Sequence, residues 1–268
     1  MVLVLLFKKV VAFLTYKNLI IMKFIYSCLL VILFINFGFS QIKSGEKLVF
    51  SGAYNMSGIM TPLAQITMQT STMTTAKSTY LHLSCEAATY SKWDSFFKIR
   101  DVFESYVNPT TLMPSLFKRS TNEGGFSKTE KYVFKGANVT STAKRKNKPE
   151  TTKNFNVGSA TLDIVSVIYK LRTLDFANMK IGQSKSFMVV FDEKEVPVMV
   201  KYLAIESYNA GNLGNKNCYK LAITANTKAI KGSNLIWLTA DANKIPALIK
   251  FSIKVGIGQL SLTSATGI

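Results

Sequence analysis

Apolar and polar residues alternate along most of this chain, most clearly between residues 235 and 262. Residues 235–239 form a short apolar run, residues 240–244 have the composition of a turn, and strict alternation starts at Ile245. Apolar side chains then occupy every second position, with Lys250 among the residues between them. A period of two is typical of a strand with one face buried and the other in water. The stretch therefore predicts a β-hairpin.

The same pattern recurs through the rest of the chain. About a dozen short alternating segments follow one another at a spacing of roughly eight to twelve residues, separated by turns rich in glycine, asparagine and proline. One such turn lies at residues 122–125. This spacing favours a mainly β fold, a large antiparallel sheet that is curled or forms an incomplete barrel.

One segment, residues 161–174, has the periodicity of a helix instead. Ser159 or Thr161 can cap its start, and Asp163 places a negative charge in the first turn. A helix that is apolar around most of its circumference has to be covered, so we expect it on the concave face of the curled sheet. The main stripe comprises Leu162, Val165, Ile168, Tyr169 and Arg172.

The N-terminal forty residues have the features of a targeting segment. Residues 22–40 combine Lys23, a long apolar run and small residues at Gly38 and Ser40, which predicts a signal peptide cleaved before Gln41. Residues 1–21 are either an upstream extension caused by a wrongly assigned start codon, which we favour, or part of a two-span membrane anchor. We expect an unlipidated exported protein with a single β-rich domain, residues 41–268.

Charge and cysteine content limit the classes of partner. The first forty residues hold four of the 33 Lys and Arg residues and none of the 15 acids, so the predicted mature chain keeps 29 bases against 15 acids. The excess predicts a solvated basic surface or contact with anionic lipid, whereas nucleic acid is not expected as a partner. The basic cluster in residues 143–153 predicts a solvated loop or hairpin tip, which we favour over an anion-binding patch. Cys85 and Cys218 fall on opposite strand faces, which favours two free thiols over a disulfide.

Residues that carry chemistry are sparse. His82 is the only histidine, and its strand places it outward, away from any nucleophile recognisable in the sequence. One histidine and two distant cysteines form no metal-ligand set. The sequence therefore predicts no catalytic residues, no metal site, no cofactor and no enzymatic activity.

Two charged residues lie on faces that are otherwise apolar. Asp101 is in line with Phe97 and Phe103 on a predicted strand, and Arg172 is in line with the stripe of the predicted helix. A buried acid and a buried base are costly apart and tolerable as a pair. We therefore expect Asp101 and Arg172 to pair and fix the helix to the sheet, with contact to a ligand as the alternative role.

Several short stretches, in order along the chain, resemble the exported family of unknown function DUF3108 (domain of unknown function 3108), found in Gram-negative envelopes. The resemblance implies a periplasmic or outer-membrane-associated β-rich fold, distantly similar to the half-barrels of lipoprotein carriers. It implies no catalytic residues. The stretches are residues 45–48, 99–101, 104–106 and 113–114, Asp163, Ser166, residues 169–172, Gly182, residues 237–239, Asp241 and residues 245–246.

Two functional hypotheses follow. The first is a non-enzymatic envelope protein that holds a lipid-like or other apolar ligand within the curled sheet, since aromatic and methionine side chains adapt to such guests. The second is an outer-membrane assembly or scaffold protein that docks on anionic headgroups and contacts other envelope proteins. A packed interior would favour the scaffold, and an open apolar cavity the carrier. The residues expected to line the ligand site are Phe97, Asp101, Phe103, Tyr169, Arg172 and Trp237.

Overall fold

A computed structural model describes residues 42–56, 58–225, 234–253 and 256–268. The predicted extension at residues 1–21, the predicted signal peptide at residues 22–40 and the cleavage site before Gln41 lie outside these residues. The described residues all belong to one compact unit.

Fourteen antiparallel strands in the described part of the chain form one sheet, which does not close into a barrel. The mainly β prediction, with a curled sheet or incomplete barrel, is confirmed. The strands are β1 (Lys47–Met56), β2 (Ile59–Thr74), β3 (Thr79–Thr89), β4 (Arg100–Val107), β5 (Pro114–Glu123), β6 (Phe126–Lys135), β7 (Asn138–Arg145), β8 (Thr151–Asn156), β9 (Ser184–Phe191), β10 (Lys194–Asn209), β11 (Asn215–Ala225), β12 (Asn234–Thr239), β13 (Pro246–Ile253) and β14 (Gly256–Thr266).

The chain begins in the middle of the sheet and returns there. Strand β1 pairs with β2 on one side and with the last strand, β14, on the other. Each remaining strand pairs with its neighbours in sequence, so β8 and β9 become the two edges. The segment between them, residues 157–183, has to cross from one edge of the sheet to the other.

The predicted helix is shorter than the sequence pattern indicates. The α-helix α1 spans Ser166–Leu171 only, and Leu162 forms a parallel β-bridge to Val189 of β9. The Asp163 carboxylate accepts hydrogen bonds from the amides of Val165 and Ser166, 2.8 Å each. These bonds end the extended segment and start the helix, a role that the sequence pattern assigned to Ser159 or Thr161.

The crossing segment is nonetheless buried, as predicted for the helix. Tyr169 is completely buried, and Leu162, Val165, Leu171 and Phe176 are at most 3% exposed. Three short 3-10 helices, Ser91–Trp93, Phe176–Asn178 and Gly211–Leu213, complete the helical elements of the described residues. Full burial of each large apolar side chain contributes about 1.5–3 kcal/mol. The segment therefore works as part of the core.

Arg172 has a different partner from the one that the sequence suggested. Its guanidinium makes two parallel 2.6 Å bonds to the Glu46 carboxylate and donates to the Asn243 carbonyl, which fixes the end of α1 to the start of β1. Arg172 and Glu46 are 2% and 3% exposed. Asp101 instead accepts a 2.9 Å bond from the Asn122 amide on β5. The expected Asp101–Arg172 pair was therefore wrong.

The polar window at residues 143–153 is a hairpin tip, one of the two structures predicted for it. The sequence missed the strand that follows, because β8 is exposed along nearly its whole length and shows no apolar alternation. Strand β4 starts at Arg100, so Phe97, which the sequence pattern placed on this strand, lies before it. Cys85 and Cys218 are both free, and Cys218 is fully buried although its alternation placed it on the outer face.

The buried ion pair leads to a stability prediction. Glu46→Ala leaves the Arg172 guanidinium buried without a counter-charge, so we expect a loss of about 3–5 kcal/mol in the free energy of unfolding. Urea titration measures it, with Glu86→Ala, an exposed acid on β3, as the control. A loss in Glu46→Ala no larger than in the control would contradict the assignment.

A second prediction concerns the Tyr169 hydroxyl, which is buried and has no hydrogen-bond partner among the described residues. Tyr169→Phe removes an unsatisfied polar group, so we expect it to be neutral or stabilising by about 1 kcal/mol. Tyr132→Phe is the matched comparison, because the Tyr132 hydroxyl accepts a hydrogen bond from the Glu193 amide, and it should destabilise. Thermal unfolding of both variants tests this ordering, and a destabilised Tyr169→Phe would show that the hydroxyl is satisfied in solution.

Candidate functional site

The β9–β10 turn bridges the open side of the sheet. Asp192 and Glu193 form this turn, both with positive φ, and the Glu193 side chain contacts the opposite edge. Its carboxylate accepts bonds from the Ser141 hydroxyl on β7, 2.9 Å away, and from the Lys153 ammonium on β8. Its backbone amide donates to the Tyr132 hydroxyl at 3.2 Å. Side chains thus make the contact that backbone pairing would make in a closed barrel.

Asp192 extends this contact to two more strands. Its carboxylate lies 3.1 Å from the Arg119 guanidinium of β5 and 3.5 Å from the Lys128 ammonium of β6. Both bases also pair with Glu130, whose side chain is only 2% exposed. Together with the buried Glu130, the two acids of the turn bind three bases, one on each of β5, β6 and β8: Arg119, Lys128 and Lys153.

The pKa values here follow from these contacts. The hydrogen bond from Lys153 holds the pKa of Glu193 below its ordinary value of 4.5, against the opposing effect of burial. Burial raises the pKa of Tyr132, and the charge of Glu130 raises it further. Glu193 is therefore ionised and Tyr132 neutral near pH 7.

A cleft of about 430 Å³ opens beside the turn, and we call it the seam cleft. Its walls come from β6, β7, β8 and the β9–β10 turn, and its long side chains are nearly all charged. Such a lining can bind anions through its bases. The lining residues are Lys128, Glu130, Ala143, Arg145, Lys148, Pro149, Thr151, Lys153, Asp192 and Glu193.

The concave face of the sheet is filled around α1. Leu48, Phe50 and Leu83 are fully buried there and belong to one cluster with Tyr169. A second cluster packs Leu171 and its neighbours against β10, β11 and β12. The side chains that could have lined an apolar cavity contact one another instead.

Four predicted site residues lie in or next to this packed region. Tyr169 and Arg172 are buried on the crossing segment, Phe103 packs against the main cluster, and Asp101 is 6% exposed. Burial raises the pKa of Glu123, and its hydrogen bond to Asp101 adds to this effect. These four residues bond to and pack against the protein itself, and their role in ligand binding stays a prediction.

The other two predicted site residues differ from each other in burial. Phe97 is in the β3–β4 loop and 49% exposed. The Trp237 ring is 5% exposed and belongs to the main buried cluster, with the ammonium groups of Lys220 and Lys250 at 5.3 and 5.6 Å from the ring centre. Its indole N–H donates to Glu206 at 2.8 Å. The structure therefore does not bring the six residues together into one site.

Sequence reasoning missed a polar group around His82 on the outer face. The His82 ring lies 3.3 Å from the Ser71 hydroxyl and 2.9 Å from the Glu104 carboxylate, and it stacks on Tyr106. The side chains come from three adjacent strands, a pairing that no local pattern reveals.

A serine, a histidine and an acid are the residue types that catalyse acyl transfer, but this reaction would also need N–H donors aimed at the developing oxyanion. Strand amides lie in the plane of the sheet, whereas the Ser71 hydroxyl stands out from it. We interpret the group as a cross-strand polar network.

Within the described residues, no group of three or more His, Cys, Asp and Glu side chains could hold a metal ion. None of the helices in the same part of the chain is long and apolar enough to span a bilayer.

Comparison with known families identifies the class of protein. The family described as protein of unknown function (DUF3108) matches residues 53–263. The chain therefore belongs to the DUF3108 family, as the sequence resemblance indicated. No curated protein sequence matches it.

One solved structure supports the fold. A β-barrel-like protein of the DUF1849 family from Brucella abortus superimposes with a TM-score of 0.55 at 8% identity, covering 83% of this chain and 97% of that one. A predicted lipoprotein from Parabacteroides distasonis (12% identity, 86% and 98% covered) reaches 0.34. A predicted exported protein with a YmcC-like fold from Bacteroides fragilis (7% identity, 84% and 96% covered) reaches 0.29. The first comparison shows a shared β-barrel-like fold, and the other two carry no structural argument.

The ion pair between Glu193 and Lys153 predicts that the free energy of unfolding depends on pH. Because the pKa of Glu193 is lowered on folding, its ion pair stabilises the protein above pH 4.5 and is lost as the pH falls below that value. Glu193→Gln should therefore lower the free energy of unfolding by about 0.5–1 kcal/mol at neutral pH, and the difference should shrink in acid.

Urea titrations of the wild type and Glu193→Gln at a series of pH values measure this difference. Glu150→Gln, an exposed acid in the β7–β8 turn, is the control. A difference that stays constant across the acid range would show that Glu193 contributes through something other than its charge.

Proposed function

We propose that this protein is a non-enzymatic, exported scaffold of the cell envelope that docks on anionic headgroups through the exposed bases beside its seam cleft. The observation that carries the proposal is the filled concave face beside a charge-lined seam cleft. A protein with a packed interior and a charged exterior cleft is suited to binding at its surface.

The charge distribution supports this choice. Four bases line the seam cleft, and Arg145 and Lys148 among them are exposed at the hairpin tip, together with Lys144 and Lys146. Each base close to an anionic bilayer contributes about 1 kcal/mol of attraction, and salt screens it. The three acids of the cleft are already paired with bases, so they hold those bases in place while the tip stays free to contact lipid.

The apolar-ligand hypothesis remains the alternative. It requires the segment around α1 to leave the concave face, which would break the buried Arg172–Glu46 pair and expose Tyr169. Docking on headgroups requires no such rearrangement, and for this reason we favour it.

The proposed location is the periplasm or the outer-membrane surface, reached through the predicted signal peptide without lipidation. The DUF3108 resemblance and the leader pattern in residues 22–40 support this location. Envelope proteins and lipid surfaces are the partners that this location would offer.

Vesicle co-sedimentation of the chain starting at Gln41 tests the proposal. We expect binding to phosphatidylglycerol-rich vesicles, little binding to phosphatidylcholine vesicles, and a steep loss as salt rises from about 0.05 M to about 0.5 M. Arg145→Gln combined with Lys148→Gln should weaken binding at low salt, whereas Lys135→Gln combined with Lys185→Gln removes two exposed charges elsewhere and should matter less.

Equal binding to both kinds of vesicle, or to neither, would contradict headgroup docking. Native mass spectrometry of the same sample adds an independent result. A lipid retained by the purified protein in the absence of vesicles would favour the apolar-ligand alternative instead.

A further inference from the structure

One end of the sheet carries exposed apolar side chains at successive turns. This end holds the β1–β2, β3–β4, β5–β6 and β7–β8 connections, as the antiparallel order requires. Phe96 is 85% exposed in the β3–β4 loop, and Phe126 is 47% exposed at the start of β6. Ile59 and Ile257, at the starts of β2 and β14, are 70% and 49% exposed. Single exposed apolar residues are common, but a series of them along one end indicates a contact surface.

The loops that present these residues are bonded to one another. The Gly124 amide donates to the Lys98 carbonyl at 2.9 Å, and the Phe97 ring packs so closely on Gly124 that a β-carbon there would lie 2.6 Å from it. The Lys146 amide donates to the Ser127 carbonyl at 2.9 Å. The aromatic loops and the basic hairpin tip are therefore connected into one surface, which we call the rim: residues 92–98, 124–126 and 144–148.

Bases are interleaved with the aromatic residues of the rim. Lys92 and Lys98 flank Phe96 and Phe97 in sequence and are exposed. Four further exposed bases, at positions 144, 145, 146 and 148, stand at the neighbouring hairpin tip.

Few acids offset these bases. Asp94 is paired with Arg100. Asp192 and Glu193, which share the seam cleft with Arg145 and Lys148, are paired with bases of β5, β6 and β8. The exposed Glu123 and Glu150 lie on the adjoining turns. The rim is thus both basic and apolar.

We propose that the rim inserts Phe96 and Phe126 into the headgroup region of an anionic bilayer while the adjacent bases contact the lipid phosphates. This inference rests on the proposed docking function and assigns the surface that performs it. Interfacial binding scales with the apolar area that enters the boundary plus the attraction to anionic lipid, and the rim supplies both.

The shape of the rim favours lipid over a protein partner. Its apolar side chains stand on separate loop tips around a curved end, with charged residues between them, rather than in one flat patch. A rigid protein surface would leave gaps between these tips, whereas a fluid headgroup layer closes around each of them. Aromatic and basic side chains together are also typical of the membrane–water boundary.

Vesicle binding by variants of the chain starting at Gln41 tests the inference. Phe96→Ser combined with Phe126→Ser should reduce binding to phosphatidylglycerol vesicles by about tenfold or more. The ratio between wild-type and variant binding should stay the same as salt rises, because the lost contact is apolar. Ile181→Ser combined with Ile205→Ser removes two apolar side chains that are 68% and 53% exposed elsewhere, and it should bind like the wild type.

The outcomes separate the two proposals. If the wild type stays off anionic vesicles, headgroup docking itself fails. If it binds and the double phenylalanine variant binds equally well, docking stands and the rim assignment is overturned. Equal losses in both double variants would also overturn it, because the effect would then be independent of position.

A fluorescence measurement gives a readout that does not depend on affinity. Phe96→Trp places an indole at the most exposed rim position, and the natural tryptophans, Trp93 and Trp237, provide the baseline. Lipids brominated on their acyl chains should quench the added fluorescence once the protein is bound. Bound protein with an unquenched tryptophan at position 96 would show that the rim faces water or another protein.

Discussion

The structure depends on the segment that crosses from β8 to β9 being held inside the curled sheet. An open antiparallel sheet with an apolar concave face has to be covered, and here the chain covers itself. The Arg172–Glu46 pair, joined to the Asn243 carbonyl, fixes the end of α1 at the middle of the sheet. The desolvation cost of burying two ions is offset only when both are well hydrogen-bonded, and the bidentate geometry meets that condition. The position of this segment explains why the interior is packed and why charged chemistry lies outside.

Regular alternation made much of the fold predictable from sequence. The hairpin of β12 and β13 follows directly from a period of two, and the burial of residues 161–174 follows from the amount of apolar surface they carry. The length of the helix could not be predicted, because Leu162 is compatible both with the apolar stripe of a helix and with an extended segment. In the fold, the exposed edge of β9 pairs with Leu162 through Val189, so the helix starts later. Strand β8 escaped notice because an exposed edge strand requires no apolar face.

The candidate site was less predictable than the fold. Glu46 lies 126 residues before Arg172 in a short polar stretch, and nothing around it indicates burial. Phe97 belongs to the apolar run of a predicted strand, yet its ring packs against Gly124, a turn glycine with a φ of 52°. The seam contacts of Asp192 and Glu193 depend on two sheet edges that meet only in three dimensions. Such pairings arise from topology, which local periodicity does not encode.

Hydrogen exchange at the amides of α1 tests the central claim, that the crossing segment stays packed while the protein works at its surface. We expect these amides to exchange only through global unfolding, at a rate that anionic vesicles leave unchanged or slow further. Faster exchange in α1 when vesicles are added would mean that the segment leaves the concave face. That result would contradict the account and restore the interior as the place of binding.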